Sequence, residues 1–108
     1  MQDLNELTDT ELAYEIAVIE KLKIVYTSDD SLSVEPYEGG VQEYDPIKDN
    51  GLALYLQCKY KVSIDFRMCR CYIESPYGSY LAGATYFKEN ESPNRAICEA
   101  IYDAKEEL

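Results

Sequence analysis

Val62-Ser63-Ile64-Asp65-Phe66 alternates apolar and polar residues with a period of two. That period belongs to a strand with one buried face. The alternation continues after a short break, where Cys69, Cys71 and Ile73 fall on one face and Arg70 and Tyr72 on the other. Ser75-Pro76-Tyr77-Gly78 then supplies turn chemistry, and Ser79–Phe87 reads as a third strand with Gly83 as a bulge. Three strands joined by short turns predict an antiparallel meander over about residues 62–87.

Two helical stripes flank this core pattern. Thr8-Asp9-Thr10-Glu11 matches a capping box, in which Thr8 caps the helix and Glu11 reaches back to it. Leu7 and Leu12 occupy the staple positions, and Leu12, Ala13, Ile16, Ala17 and Ile19 follow at helical spacing, predicting a helix over 8–22. At the other end Ser92-Pro93 opens a stripe of Ile97, Ala100, Ile101 and Ala104. Between them, Lys23–Thr27 and Leu32–Val34 predict a hairpin turning at Ser28–Ser31, and Val41–Tyr44 a further short strand. Asp45-Pro46 reads as cap plus first-turn proline for a helix over Ile47–Lys59, with Gly51 weakening its start. The fold class is α+β: an antiparallel sheet, made of a hairpin plus a three-strand meander, packed by two or three helices. At 108 residues the chain is read as a single α+β domain, 1–108.

Charge narrows the function classes. The net charge is −11 with no histidine, and residues 1–50 hold 13 acids against 3 bases. Such a chain is a poor direct ligand for nucleic acid or an anionic membrane and a natural ligand for a basic protein surface. No apolar run reaches the length of a membrane span. The acidic start MQDLNELTDTEL is unlike a secretory leader. The cytoplasm is therefore the expected compartment, with Cys58, Cys69, Cys71 and Cys98 reduced.

Catalytic signatures are missing from the sequence. Ser-His and Cys-His pairs need a histidine, and no glycine-rich phosphate loop is present. The Cys69-Arg70-Cys71 triplet has one-residue spacing, against the two to four residues usual between paired zinc ligands. The chain is read as a non-enzyme with no cofactor and no metal. A metal- or redox-active protein using Cys69 and Cys71 is kept as the alternative, as is a structural homo-oligomer in which acidity serves only solubility.

The candidate partner-binding residues are Asp29, Asp30, Glu35, Tyr37, Glu38, Glu43, Tyr44, Asp45 and Asp49. Residues 29–49 hold seven acids against Lys48 alone. Tyr37 and Tyr44 sit among these acids as candidate interface anchors. The remaining strand tyrosines, Tyr26, Tyr72, Tyr80 and Tyr86, are read as half-buried packing residues.

The order of motifs resembles the NinX family of small lambdoid phage proteins. The resemblance covers roughly residues 7–104. It is carried by Leu7-Thr8-Asp9-Thr10-Glu11, the Asp45-Pro46 helix leading into Val62-Ser63-Ile64-Asp65, and Ser92-Pro93-Asn94-Arg95-Ala96. The tryptophan usual in the family's mid-chain helix is absent. The resemblance implies a phage-encoded accessory protein of unassigned activity and supplies no catalytic residues. With the acidity, it leads to the expectation of an inhibitor of host defence, such as an anti-CRISPR protein with a DNA-mimicking surface. Its partner would be the basic surface of a host nucleic-acid-binding protein or defence complex, and a homodimer is compatible with this.

Overall fold

The structure, a computed structural model, describes residues 6–35, 40–74 and 84–108. Three helices and two antiparallel three-stranded sheets make a mixed α+β fold. Residues Met1–Asp45 and Pro46–Leu108 form two compact units.

In the first unit, helix α1 (Asp9–Ile19) begins at the capping box: Thr8 Oγ1 accepts from Glu11 N at 3.1 Å, and Thr8 N donates to Glu11 Oε1 at 3.0 Å. Two of the helix's four orphan donors find partners in this way or beside it. Leu12, Ala13, Ile16 and Ala17 are buried, as the stripe predicts. They pack on strands β1 (Lys23–Thr27) and β2 (Leu32–Glu35). Strand β3 (Gln42–Glu43) pairs with the far edge of β2, so the sheet order is β1-β2-β3. The β1–β2 register slips between Ile24 and Tyr26, which leaves Val25 as a bulge. Leu32 and Val34 point into the core, and Tyr44 joins them, its N–H donating to Leu32 O at 2.8 Å.

In the second unit, helix α2 (Asn50–Tyr60) starts later than expected. Asp45-Pro46 does not cap it; Pro46–Lys48 form a turn, and Asp49 is the cap, its Oδ1 accepting from Leu52 N at 3.1 Å. Strands β4 (Ser63–Asp65), β5 (Arg70–Tyr72) and β6 (Thr85–Tyr86) form the meander in the order β4-β5-β6. Helix α3 (Asn94–Asp103) packs on β5 and β6 and against α2. Its apolar stripe of Ile97, Ala100, Ile101 and Ala104 is buried together with Cys98. Pro93 sits at the cap position itself rather than in the first turn, and Ser92 Oγ accepts from Asn94 N at 3.2 Å.

The first two helices end alike. Lys21 and Lys61 adopt left-handed backbone (φ 59° and 56°). The next N–H, of Leu22 or Val62, then reaches back to Ala17 O or Gln57 O, at 3.0 Å in each case. That closure satisfies a terminal carbonyl and turns the chain directly into a strand.

Four expectations for strand residues need comment. Phe66 is not in a strand: Asp65 Oδ1 accepts from Arg67 N and Met68 N, and this side-chain turn ends β4 one residue early. Cys69 does not share a strand face with Cys71, because it closes that turn in left-handed backbone (φ 51°). Tyr26 and Tyr86 are mostly exposed rather than half-buried. The turn at Ser75–Gly78, Tyr80 and the bulge at Gly83 lie outside the described residues.

A candidate acidic interaction site

The charge asymmetry follows the boundary between the units. Residues 1–45 carry 12 acids and 2 bases, a net −10, and residues 46–108 carry 9 acids and 8 bases, a net −1. Nearly all of the protein's net charge therefore belongs to the first unit.

That first unit contains an open groove of about 490 Å³. The first two turns of α1 supply one wall, with Thr8, Thr10, Glu11, Tyr14 and Glu15. The end of β1 and its turn supply the other, with Thr27, Ser28 and Asp29, and Leu7 lies at the base. Glu11 and Glu15 are four residues apart and so share a helix face. The turn that presents Asp29 is held by its serines: Ser28 N donates to Ser31 O at 2.9 Å, and Ser28 Oγ donates to Asp30 Oδ1 at 3.1 Å. Hence Asp29 and Asp30 are exposed on a turn whose backbone is fixed.

The groove's chemistry suits a cation. Three carboxylates (Glu11, Glu15, Asp29) are joined by threonine and serine hydroxyls, and Tyr14 offers a partly exposed ring. The N-terminus of α1 opposes a cation there, but its effective charge is only about half a unit, against three full negative charges. The carboxylates do not converge on a metal: among the described residues, no group of three or more His, Cys, Asp or Glu could hold one.

The residues named from sequence are sorted differently by the structure. Asp29 and Asp30 are exposed beside or at the groove, and Glu43 is exposed on β3. Glu35 is exposed but pairs with Lys23 across the β1–β2 ladder, Nζ to Oε2 at 3.5 Å, so one of the unit's two bases lies against it. Asp45 is half-buried. Tyr44 is corrected: at 5% exposure it is a core residue and offers no anchor to a partner. Asp49 is exposed, but it belongs to the second unit, where it caps α2. Tyr37 and Glu38 lie outside the described residues. Glu11, Tyr14 and Glu15 are groove residues with no signal of their own in the sequence: Glu11 reads only as half of a capping box.

The cysteines are thiols, with no disulfide among the described residues. Cys71 is fully buried on β5, and burial, with a smaller contribution from the Glu99 carboxylate, pushes its thiol up to about 12. It is protonated at neutral pH, which deprives it of the thiolate that a nucleophile requires. No described helix is long and apolar enough to cross a membrane.

No family model, curated protein or solved structure matches the chain. The likeness to the NinX family rests on the quoted motifs alone.

Proposed function

We propose that this is a binding protein, not an enzyme, and that its first unit engages a basic surface on another protein. The observation that carries this reading is the concentration of −10 of the charge on residues 1–45, the unit that holds a groove lined by three carboxylates. Carboxylates held on a folded surface present the same sign of charge as phosphates. They accelerate encounter with a cationic groove and make association sensitive to salt. The reading calls for no cofactor and no direct contact with nucleic acid or membrane.

The finer reading is an inhibitor of a host defence complex, of the anti-CRISPR kind, encoded by a phage and acting in the host cytoplasm. It draws on the resemblance described above. The alternative of a metal or redox centre at Cys69 and Cys71 is disfavoured by the burial of Cys71 on β5 and by the left-handed backbone of Cys69, which takes it off the strand face of Cys71.

The test is capture of partners from host cells at low salt, followed by association kinetics with the purified partner. A basic nucleic-acid-binding protein, released by salt and competed by duplex DNA, is the expected result. Capture that is indifferent to salt and to DNA would overturn the DNA-mimic reading.

A further inference from the structure

Helix α2 is apolar on two faces. Ala53 and Leu56 point into the second unit. Gly51, Leu54, Tyr55 and Cys58 are all exposed, Leu54 by 58% and Tyr55 by 52%. Their spacing (i, i+3, i+4, i+7) is that of a helix–helix seam. The second face is the one with no cover in the described residues of the second unit.

We propose that this seam pairs with the same seam of a second copy, as a two-fold antiparallel helix pair. The stripe prescribes the register. It is symmetric about the point between Leu54 and Tyr55, so a two-fold axis there sets Leu54 against Tyr55 and Gly51 against Cys58. The smallest residue then faces the thiol, and the backbones approach closely at both ends.

Charge selects the same arrangement. Asp49 stands at the start of α2, and Lys59 and Lys61 at its end. Antiparallel pairing brings Asp49 of each copy level with the Lys59–Lys61 end of the other and opposes the two helix dipoles favourably. Parallel pairing sets like against like. The same register sets Lys48, one residue before the cap, opposite Lys61 of the other copy, a like-charge contact at each margin of the seam that Asp49 offsets. The second unit as a whole is nearly neutral, with 9 acids and 8 bases, so it offers little local repulsion.

The contact is small. Eleven residues span about 16 Å, and one helix pair falls below the roughly 1,000 Å² of a stable specific interface. The dimer is accordingly weak and reversible, forming at tens to hundreds of micromolar. Each copy carries −11 overall, so screening by salt strengthens self-association, whereas it weakens attraction to a basic partner. The inference does not depend on the function proposed above.

Sedimentation equilibrium of the full chain tests it. The average mass should rise from 12.4 kDa toward twice that value with concentration, and rise further with salt. Leu54→Glu with Tyr55→Glu should weaken association at least tenfold with an unchanged circular dichroism spectrum, since both positions are exposed. Gly51→Cys has room, its new Cβ meeting Asp49 Oδ1 at 3.4 Å. Under mild oxidation that variant should form a covalent dimer whose linkage joins position 51 of one copy to Cys58 of the other. A chain that stays monomeric to millimolar concentration overturns the proposal. So does a dimer indifferent to the double substitution, or a linkage found elsewhere.

Discussion

Asn94 Nδ2 donates to Asn50 Oδ1 at 2.8 Å, joining the first turn of α3 to the first turn of α2. The same amide nitrogen also donates to Ile47 O at 2.9 Å. Asn94 is only 6% exposed, so this side chain is a buried polar link between two helices and the turn before one of them. Its removal leaves a backbone carbonyl and an amide oxygen without their donor. Asn94→Ala should cost about 2 kcal/mol in chemical denaturation. Asn94→Asp keeps the shape but points an acceptor at two acceptors, and should cost at least as much at neutral pH. Equal stability of all three proteins would show that the link contributes nothing.

The helix ends yield a prediction of opposite sign. Lys61 holds a left-handed backbone that an ordinary L-residue reaches at a cost of about 1–2 kcal/mol, and glycine reaches freely. Part of that gain is offset by the greater freedom of glycine in the unfolded chain. Lys61→Gly should therefore stabilise the protein by about 0.5–1 kcal/mol, and Lys21→Gly similarly. A loss of stability in both would mean that the lysine side chains contribute more than the backbone strain removes.

How far the sequence foretold this fold depended on whether a signal was local. The capping box at Thr8–Glu11, the stripe of α3 and the strands at 23–27 and 32–35 could be read because propensity, capping and periodicity agreed within a few residues. The start of α2 could not, because two cap candidates, Asp45 and Asp49, lie four residues apart, and the choice depends on where Asn94 and Ile47 meet. The turn at Phe66–Cys69 was hidden because alternation continued to Phe66, while the deciding contact was the Asp65 carboxylate reaching forward to Arg67 and Met68. For the site, sequence located the acidic half of the chain but not its geometry. Tyr44 looks like a surface tyrosine among acids, and only the pairing of β3 with β2 turns it inward. Glu15 looks like an ordinary solvated position until the hairpin end brings Asp29 to the same groove.

Cys71 makes stability depend on alkaline pH. Its folded value, about 12, exceeds the unfolded thiol's value of about 8.5. In that interval the unfolded state releases a proton that the folded state keeps, so unfolding becomes easier as pH rises. The contribution is fully present below about pH 8.5 and is lost progressively up to about pH 12, with a limiting slope of about 1.4 kcal/mol per pH unit. The comparison is with Cys71→Ala, which removes this one thiol. That variant should be less stable at pH 7 because of the cavity, yet lose less stability between pH 8.5 and 10.5. Parallel pH profiles would show that Cys71 ionises as readily in the folded protein as in the unfolded chain.

The acidic groove offers the prediction most directly tied to function. Glu35 is a poor target for charge reversal, because Lys23 already lies against it, and Glu11 is unsuitable because it completes the helix cap. Glu15 and Asp29 stand on opposite walls of the groove, and neither closes the capping box. Glu15→Lys with Asp29→Lys changes the charge of the first unit from −10 to −6 while leaving its fold contacts in place. Association with a basic partner should slow by at least tenfold at low salt, and the dependence of rate on salt should flatten, because electrostatic steering scales with the charge facing the partner. The matched control is Glu89→Lys with Glu91→Lys, which makes the same change of four charges at two exposed positions in the second unit. If steering comes from the groove, the control should change the rate by no more than about threefold, because it alters net charge but leaves the groove's own carboxylates in place. Equal slowing by the two pairs would mean that overall acidity, rather than the groove between α1 and the β1–β2 turn, governs the encounter.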